Sequence, residues 1–194
     1  MTEMPKTLLV WDIDDVLNRF MFHCLLRFPS RKHLKYEELT VMPPYGLLEI
    51  TEAQYLATLD SCRPDLYKEG PRPEVMRFFE LYGGDFHHVA LSAAPVRFAP
   101  YSAQWLLQHF GLWFQSCIFI PSKRPGVTVL SQRFKTKGEA LASLGANAVL
   151  IDDSPLNTAD AQKQGCRAML FPAPWNENRD MPIDDFLNEL TKIK

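Results

Sequence analysis

Short apolar runs alternate along this chain with longer segments whose apolar positions recur at helical spacing. The runs at Leu8–Trp11, 86–91, 117–120, 148–151 and 167–171 predict five short buried strands. Between them, the residues from Pro73 form a helix with Val75, Met76, Phe78, Phe79 and Leu81 inward, stopped by Gly83 and Gly84. Further helices are predicted over 96–110, 137–144, 159–164 and 182–193, three of them closed by Gly111, Gly145 and Gly165. Strands separated by helices of this length imply right-handed crossovers. The expected architecture is a three-layer αβα sandwich around a mainly parallel, Rossmann-like five-stranded sheet of order 3-2-1-4-5.

The alternation breaks between the first and second strands. Residues 19–35 carry five cations and no carboxylate, interleaved with Phe20, Phe22, Leu25, Leu26 and Phe28, which reads as an amphipathic helix with solvated cations. A positive lip that draws an anionic substrate inward is the alternative. A turn-rich break at 41–46, a short helix over 51–59 and a proline-rich return over 62–73 follow. The expected domains are therefore a core of residues 1–17 and 73–194 and a small, mainly helical insertion of residues 18–72. Residues 121–134 read as irregular, with 127–130 able to pair at a sheet edge.

Composition narrows the class. The 194 residues are 46% hydrophobic and 12% aromatic, enough for an ordinary globular core. A formal charge of −2 provides no general attraction for nucleic acid or an anionic membrane. No apolar run approaches the roughly 20 residues that span a bilayer. The polar N-terminal residues show no signal peptide, and the four dispersed cysteines suggest neither a zinc site nor a disulfide framework, so a cytoplasmic protein with reduced thiols is expected.

The chemistry gathers where strands end. In a parallel sheet of this order the carboxyl ends of strands one, two and four share an edge, and Asp12, Ser92 and the pair Asp152-Asp153 occupy those ends. Asp12, Asp14 and Asp15 follow the first strand at once, at a cost in repulsion and desolvation that a bound cation would relieve. Aspartate is also a common turn and capping residue, so this trio alone does not establish a site.

Four segments together resemble the haloacid dehalogenase-like superfamily of Mg²⁺-dependent phosphohydrolases. They are Val10 to Leu17 around Asp12 and Asp14; Val89 to Ser92; Lys137 to Leu141; and Val149 to Asp153. They occur in the family's order and span 7–171. Asp15 departs from the pattern, since many family phosphatases have glycine there. The resemblance implies that Asp12 is a nucleophile forming an aspartyl-phosphate and that Asp14 protonates the leaving oxygen and later activates water. It implies that Ser92 and the Ala93 amide bind the phosphoryl oxygens and that Lys137 neutralises charge, with Lys135 a competitor for that role. It implies Mg²⁺ held by Asp12, the Asp14 carbonyl and Asp153, with Asp152 as a further ligand or supporting group.

The insertion falls where this superfamily places a C1 cap, which covers the site and selects substrate. Residues 171–176, ending in Pro174, Trp175 and Asn176, are similar to a Pro-aromatic-Asn segment of the 5′(3′)-deoxyribonucleotidases, although packing of Trp175 on the core is the default. The expected partner is a small phosphorylated metabolite, a nucleotide among the options, with no nucleic-acid polymer and no membrane. A phosphomutase and a catalytically silent binding protein remain the alternatives.

Overall fold

The computed structural model describes residues 6–66, 68–122 and 133–193. Five strands, β1 (Leu8–Trp11), β2 (His87–Ser92), β3 (Phe114–Phe119), β4 (Ala148–Asp152) and β5 (Arg167–Leu170), form one sheet of order β3-β2-β1-β4-β5. Every pairing is parallel, so β1 is hydrogen-bonded on both sides, Trp11 lying opposite Ala90 of β2 and Ile151 of β4. The sheet and its order match the expectation. The proposed edge pairing of 127–130 lies outside the described residues.

Seven helices accompany the strands among the described residues: α1 (Phe20–Leu25), α2 (Glu52–Leu66), α3 (Pro73–Tyr82), α4 (Ala99–Phe110), α5 (Lys137–Ala142), α6 (Pro155–Lys163) and α7 (Ile183–Leu190). Successive strand residues face opposite sides, so β1 contributes to two cores. Leu9 and Trp11 pack with Phe78, Phe79, Trp105, Phe110, Phe114 and Phe186. Val10 packs on the other face with Leu91, Leu150, Ala140, Leu141 and Ala161. Burial on both faces explains why β1 and β4 read as continuous apolar runs.

Several local expectations are corrected. Leu81 is exposed rather than inward, because it lies off the face that Val75, Phe78 and Phe79 bury. The helix expected over 19–35 ends at Leu25; Leu26 is exposed, and Pro29 prevents its resumption. The cations of that segment include Arg27 and Lys32, which pair at the surface with Asp65 and Glu49. The helix expected over 51–59 runs on to Leu66 with Pro64 inside it, and this carries Cys62 and Arg63 into buried positions.

Residues between β1 and α3 have a core of their own. Phe20, Met21, Cys24, Phe28, Leu39, Leu48, Tyr55, Leu59 and Cys62 cluster there, joined by Ala173 and Trp175 from the loop after β5. That loop is therefore packed against the insertion's cluster.

Candidate active site

The end of β1 is anchored before any functional side chain appears. The Asp12 amide donates to the Ile151 carbonyl at 2.9 Å, which holds Asp12 beside the end of β4. The chain then makes one wide turn over 13–17, closed by the Asn18 amide donating to the Ile13 carbonyl at 3.2 Å. Within this turn Asp15 adopts φ 63°, a left-handed conformation that favours glycine. Asp15 holds it through a buried carboxylate that accepts the Met21 amide at 2.9 and 3.2 Å, while Arg72 donates to the Asp15 carbonyl at 3.0 Å. Burial pushes the Asp15 carboxyl up to about 7, against the opposing pull of Arg72.

Lys137 links the ends of β1 and β4. Its amine lies 2.8 Å from Oδ1 of Asp12 and 2.6 Å from Oδ2 of Asp152, and the residue is only 3% exposed. Burial alone would lower its pKa, but Asp12 and Asp152 together raise it well above the ordinary lysine range. Thr136 caps the start of α5 by accepting the Glu139 amide at 3.2 Å, and this places Lys137 at the first helical position. A lysine is unfavourable beside a helix N-terminus; the two buried carboxylates supply the compensation. Lys135 is exposed.

Asp152 is fully buried and its other oxygen accepts the Ser154 amide at 2.9 Å and the Asn157 side chain at 3.0 Å. Asp153 is held differently. Its Oδ2 accepts the Trp175 indole N–H at 2.8 Å, and its carbonyl accepts the Asn176 side chain at 2.8 Å. One carboxylate oxygen from each of Asp12, Asp152 and Asp153 lies within 4.8 Å of the other two. Burial, reinforced by Asp152 against the pull of Lys137, pushes Asp12 up to about 7; burial with Asp152 and Asp12 also raises Asp153 well above the carboxylate range. Three buried hard-oxygen donors that resist ionising together fit a small divalent cation such as Mg²⁺.

Asp14 meets the insertion. Its Oδ2 receives Nη1 of Arg63 at 2.7 Å, and Asn18 donates to its Oδ1 at 3.4 Å. Ser92, 2% exposed at the end of β2, accepts the Ala94 amide at 3.1 Å. A cavity of about 370 Å³ is lined by Ala93, Lys135, Thr136, Lys137, Asn157 and Asp160, among others. It opens beside the lysine.

The geometry thus joins Asp12, Lys137, Asp152 and Asp153 directly, and puts Asp14 under Arg63. Sequence reasoning missed Arg63, Asn157 and the indole bond of Trp175. Arg63 lies 49 residues from Asp14 and carries no local signal. Asn157, five residues after Asp152 in the first turn of α6, could have been found as a helix-start amide facing the acid.

No protein-family model matches the chain, and no curated protein matches it. Solved structures do. A protein from Clostridium acetobutylicum named a predicted phosphatase superposes with TM-score 0.59 at 14% identity, over 97% of this chain and all of that one. A hydrolase of the haloacid dehalogenase-like family from Streptococcus pneumoniae gives 0.59 at 14% identity, over 97% and 99%. Magnesium-bound YfnB from Bacillus subtilis, named among the HAD-hydrolases, gives 0.53 at 14% identity, over 93% and 92%. The fold is that of the haloacid dehalogenase-like hydrolases. No helix among the described residues is long and apolar enough to cross a membrane.

Proposed function

We propose that this protein is a haloacid dehalogenase-like phosphomonoesterase that uses Mg²⁺ and acts on a small phosphorylated substrate. The observation that carries the reading is the bridge from Lys137 to Asp12 and Asp152, with Asp153 in the same cluster. A phosphate ester repels an anionic nucleophile, so attack by a carboxylate needs positive charge fixed beside it before substrate arrives. Lys137 supplies one such charge and holds the orientation of Asp12.

In this reading an oxygen of Asp12 attacks phosphorus while the bond to the leaving oxygen breaks. Asp14 gives that oxygen its proton, then takes a proton from the water that cleaves the aspartyl-phosphate. Ser92 and the Ala93 amide donate to the phosphoryl oxygens. Bound by Asp12, Asp153 and the Asp14 carbonyl, with Asp152 behind them, Mg²⁺ would offset the charge of the phosphate and favour ionised Asp12. Residues 18–72 act as a lid over the core of 1–17 and 73–194.

Released phosphate from p-nitrophenyl phosphate and a set of phosphorylated metabolites, nucleoside monophosphates included, tests this. Turnover that needs Mg²⁺ and stops in EDTA is expected. Full turnover by metal-free protein, or none from any ester, overturns the proposal.

A further inference from the structure

A second cavity, of about 330 Å³, lies between the insertion and the segment that follows β5. That volume is at the small end of the range for small-molecule sites, about 300–1,000 Å³. None of Asp12, Asp14, Ser92, Lys137 and Asp153 lines it, so it is separate from the cluster described above. Three of its lining side chains are arginines: Arg19, Arg72 and Arg179.

Arg72 is the one built into the fold. It is 3% exposed and directly precedes α3. Its Nε donates to the Asn18 carbonyl and its Nη2 to the Asp15 carbonyl, each at 3.0 Å, with the Tyr36 hydroxyl 3.3 Å from Nη2. Among the described residues no acceptor meets Nη1 and no carboxylate forms an ion pair with the guanidinium. The Asp15 carboxylate attracts it but is bonded to the Met21 amide instead. A buried guanidinium without a contacting anion is costly, and an anion entering the cavity would relieve that cost.

The other two arginines enlarge the same demand. Arg19 is exposed, with its guanidinium 5.6 Å from the centre of the Phe22 ring. Arg179 is also exposed, and its ion pair with the solvated Asp180 is long, at 3.9 Å. Glu37 is the acid in the lining, so three guanidiniums face one carboxylate, which favours a dianion. Phe22 and Tyr36 meet edge to face with their centres 5.8 Å apart, and with Pro172 and Met181 they give the cavity apolar walls. The cations come from three separate segments, so negative groups at two points of a flat ring match them better than one compact anion.

We propose that this cavity binds a small aromatic acid with two separated anionic groups, one against Nη1 of Arg72 and the other against Arg19 and Arg179. The site takes its ligand without Mg²⁺ and does not depend on the phosphomonoesterase reading.

Isothermal titration calorimetry of the full chain in metal-free buffer, with benzene-1,3-dicarboxylate as the probe, tests this. Benzoate lacks the second carboxylate, succinate lacks the ring and benzamide lacks the charge. One-to-one binding of the dicarboxylate, about 10-fold or more tighter than any of the three, is expected on the scale of a hydrogen bond to a charged group. Arg19→Gln and Arg179→Gln combined in one chain should weaken it about 10-fold, with the melting temperature and p-nitrophenyl phosphate turnover unchanged. Arg72→Gln should abolish binding. Since Arg72 also holds the turn before α1, the exposed double variant decides the matter if Arg72→Gln does not fold. Succinate binding as tightly as the dicarboxylate would reduce the site to a basic patch and overturn the proposal. So would dicarboxylate affinity that survives the double substitution, no binding at millimolar probe, or displacement of the probe by p-nitrophenyl phosphate.

Discussion

Lys137 and Asp152 form a buried pair, amine to carboxylate at 2.6 Å, whose second oxygen is fully engaged by Ser154 and Asn157. This assigns different work to two adjacent acids. Asp152 orients Lys137, whereas Asp153 faces the carboxylate cluster with one oxygen held by Trp175. Asp153→Asn should weaken Mg²⁺ affinity more than Asp152→Asn, by roughly 10-fold or more on the scale of a ligand-shell change. Asp152→Asn should instead lower the melting temperature more, because it leaves the Lys137 charge buried beside a neutral amide. A metal titration and a thermal melt on both variants separate the two effects. Equal metal affinities would undo the assignment.

The pH dependence of stability follows from the same cluster. Asp12 has an ordinary value of 3.8 and is raised to about 7 in the fold. Its folded value is above its unfolded value, so the folded chain binds more protons throughout that window. Its contribution to stability is therefore retained below 3.8 and lost as pH rises towards 7. Asp153 is raised in the same direction. A bound cation favours both ionised forms and opposes this loss. The melting temperature gained on adding Mg²⁺ should be larger at about pH 8 than at about pH 5, and proton release should accompany binding at the lower pH. A gain independent of pH would remove Asp12 and Asp153 from the metal site.

Much of this arrangement is legible in the chain because a parallel sheet fixes its own chemistry edge. Once β1, β2 and β4 are recognised and their crossovers are right-handed, Asp12, Ser92 and Asp152-Asp153 must end on one side. The unfavourable lysine at the start of α5 is a local anomaly, and its explanation lies in two acids that the same logic brings together. What the pattern does not reveal is the company each acid keeps across the insertion. Arg63 reads as one more polar residue in the proline-rich return over 62–73, and its partner is set by how α2 docks. Trp175 is visible as a bulky residue in a proline-rich loop, yet its indole N–H finds Asp153 only because that loop folds back from β5. Helical spacing from Phe20 to Phe28 also misleads beyond Leu25, where α1 ends, so Phe28 joins the insertion's own cluster from an irregular segment.

Asp15 provides a backbone test. Asp15→Gly and Asp15→Ala lose the same carboxylate and the same bonds from Met21. Only the alanine variant keeps a β-carbon at φ 63°. A left-handed conformation costs a non-glycine residue about 1 kcal/mol or more. The glycine variant should therefore be more stable than the alanine variant by about 1 kcal/mol in urea unfolding. Equal stabilities would mean that the turn relaxes out of the left-handed conformation once the carboxylate is gone.

The division of labour between Asp12 and Asp14 gives the most discriminating outcome. Asp12 lies in the buried cluster with Lys137, and Asp14 lies under the insertion with Arg63. If Asp12 is the nucleophile, Asp12→Asn abolishes both turnover and covalent labelling, because an amide cannot form the aspartyl-phosphate. Asp14→Asn keeps the nucleophile and its lysine but loses the proton donor, a change of about 10²–10⁴-fold for a general acid–base group. The first step should recover with p-nitrophenyl phosphate, whose leaving group needs little protonation. The second step should not, since the water that cleaves the intermediate has lost its base. Asp14→Asn should therefore accumulate phosphoenzyme from that ester, detected by mass spectrometry as a phosphoryl adduct on the peptide containing Asp12. An adduct on Ser92, or one that persists in Asp12→Asn, would replace this mechanism with another.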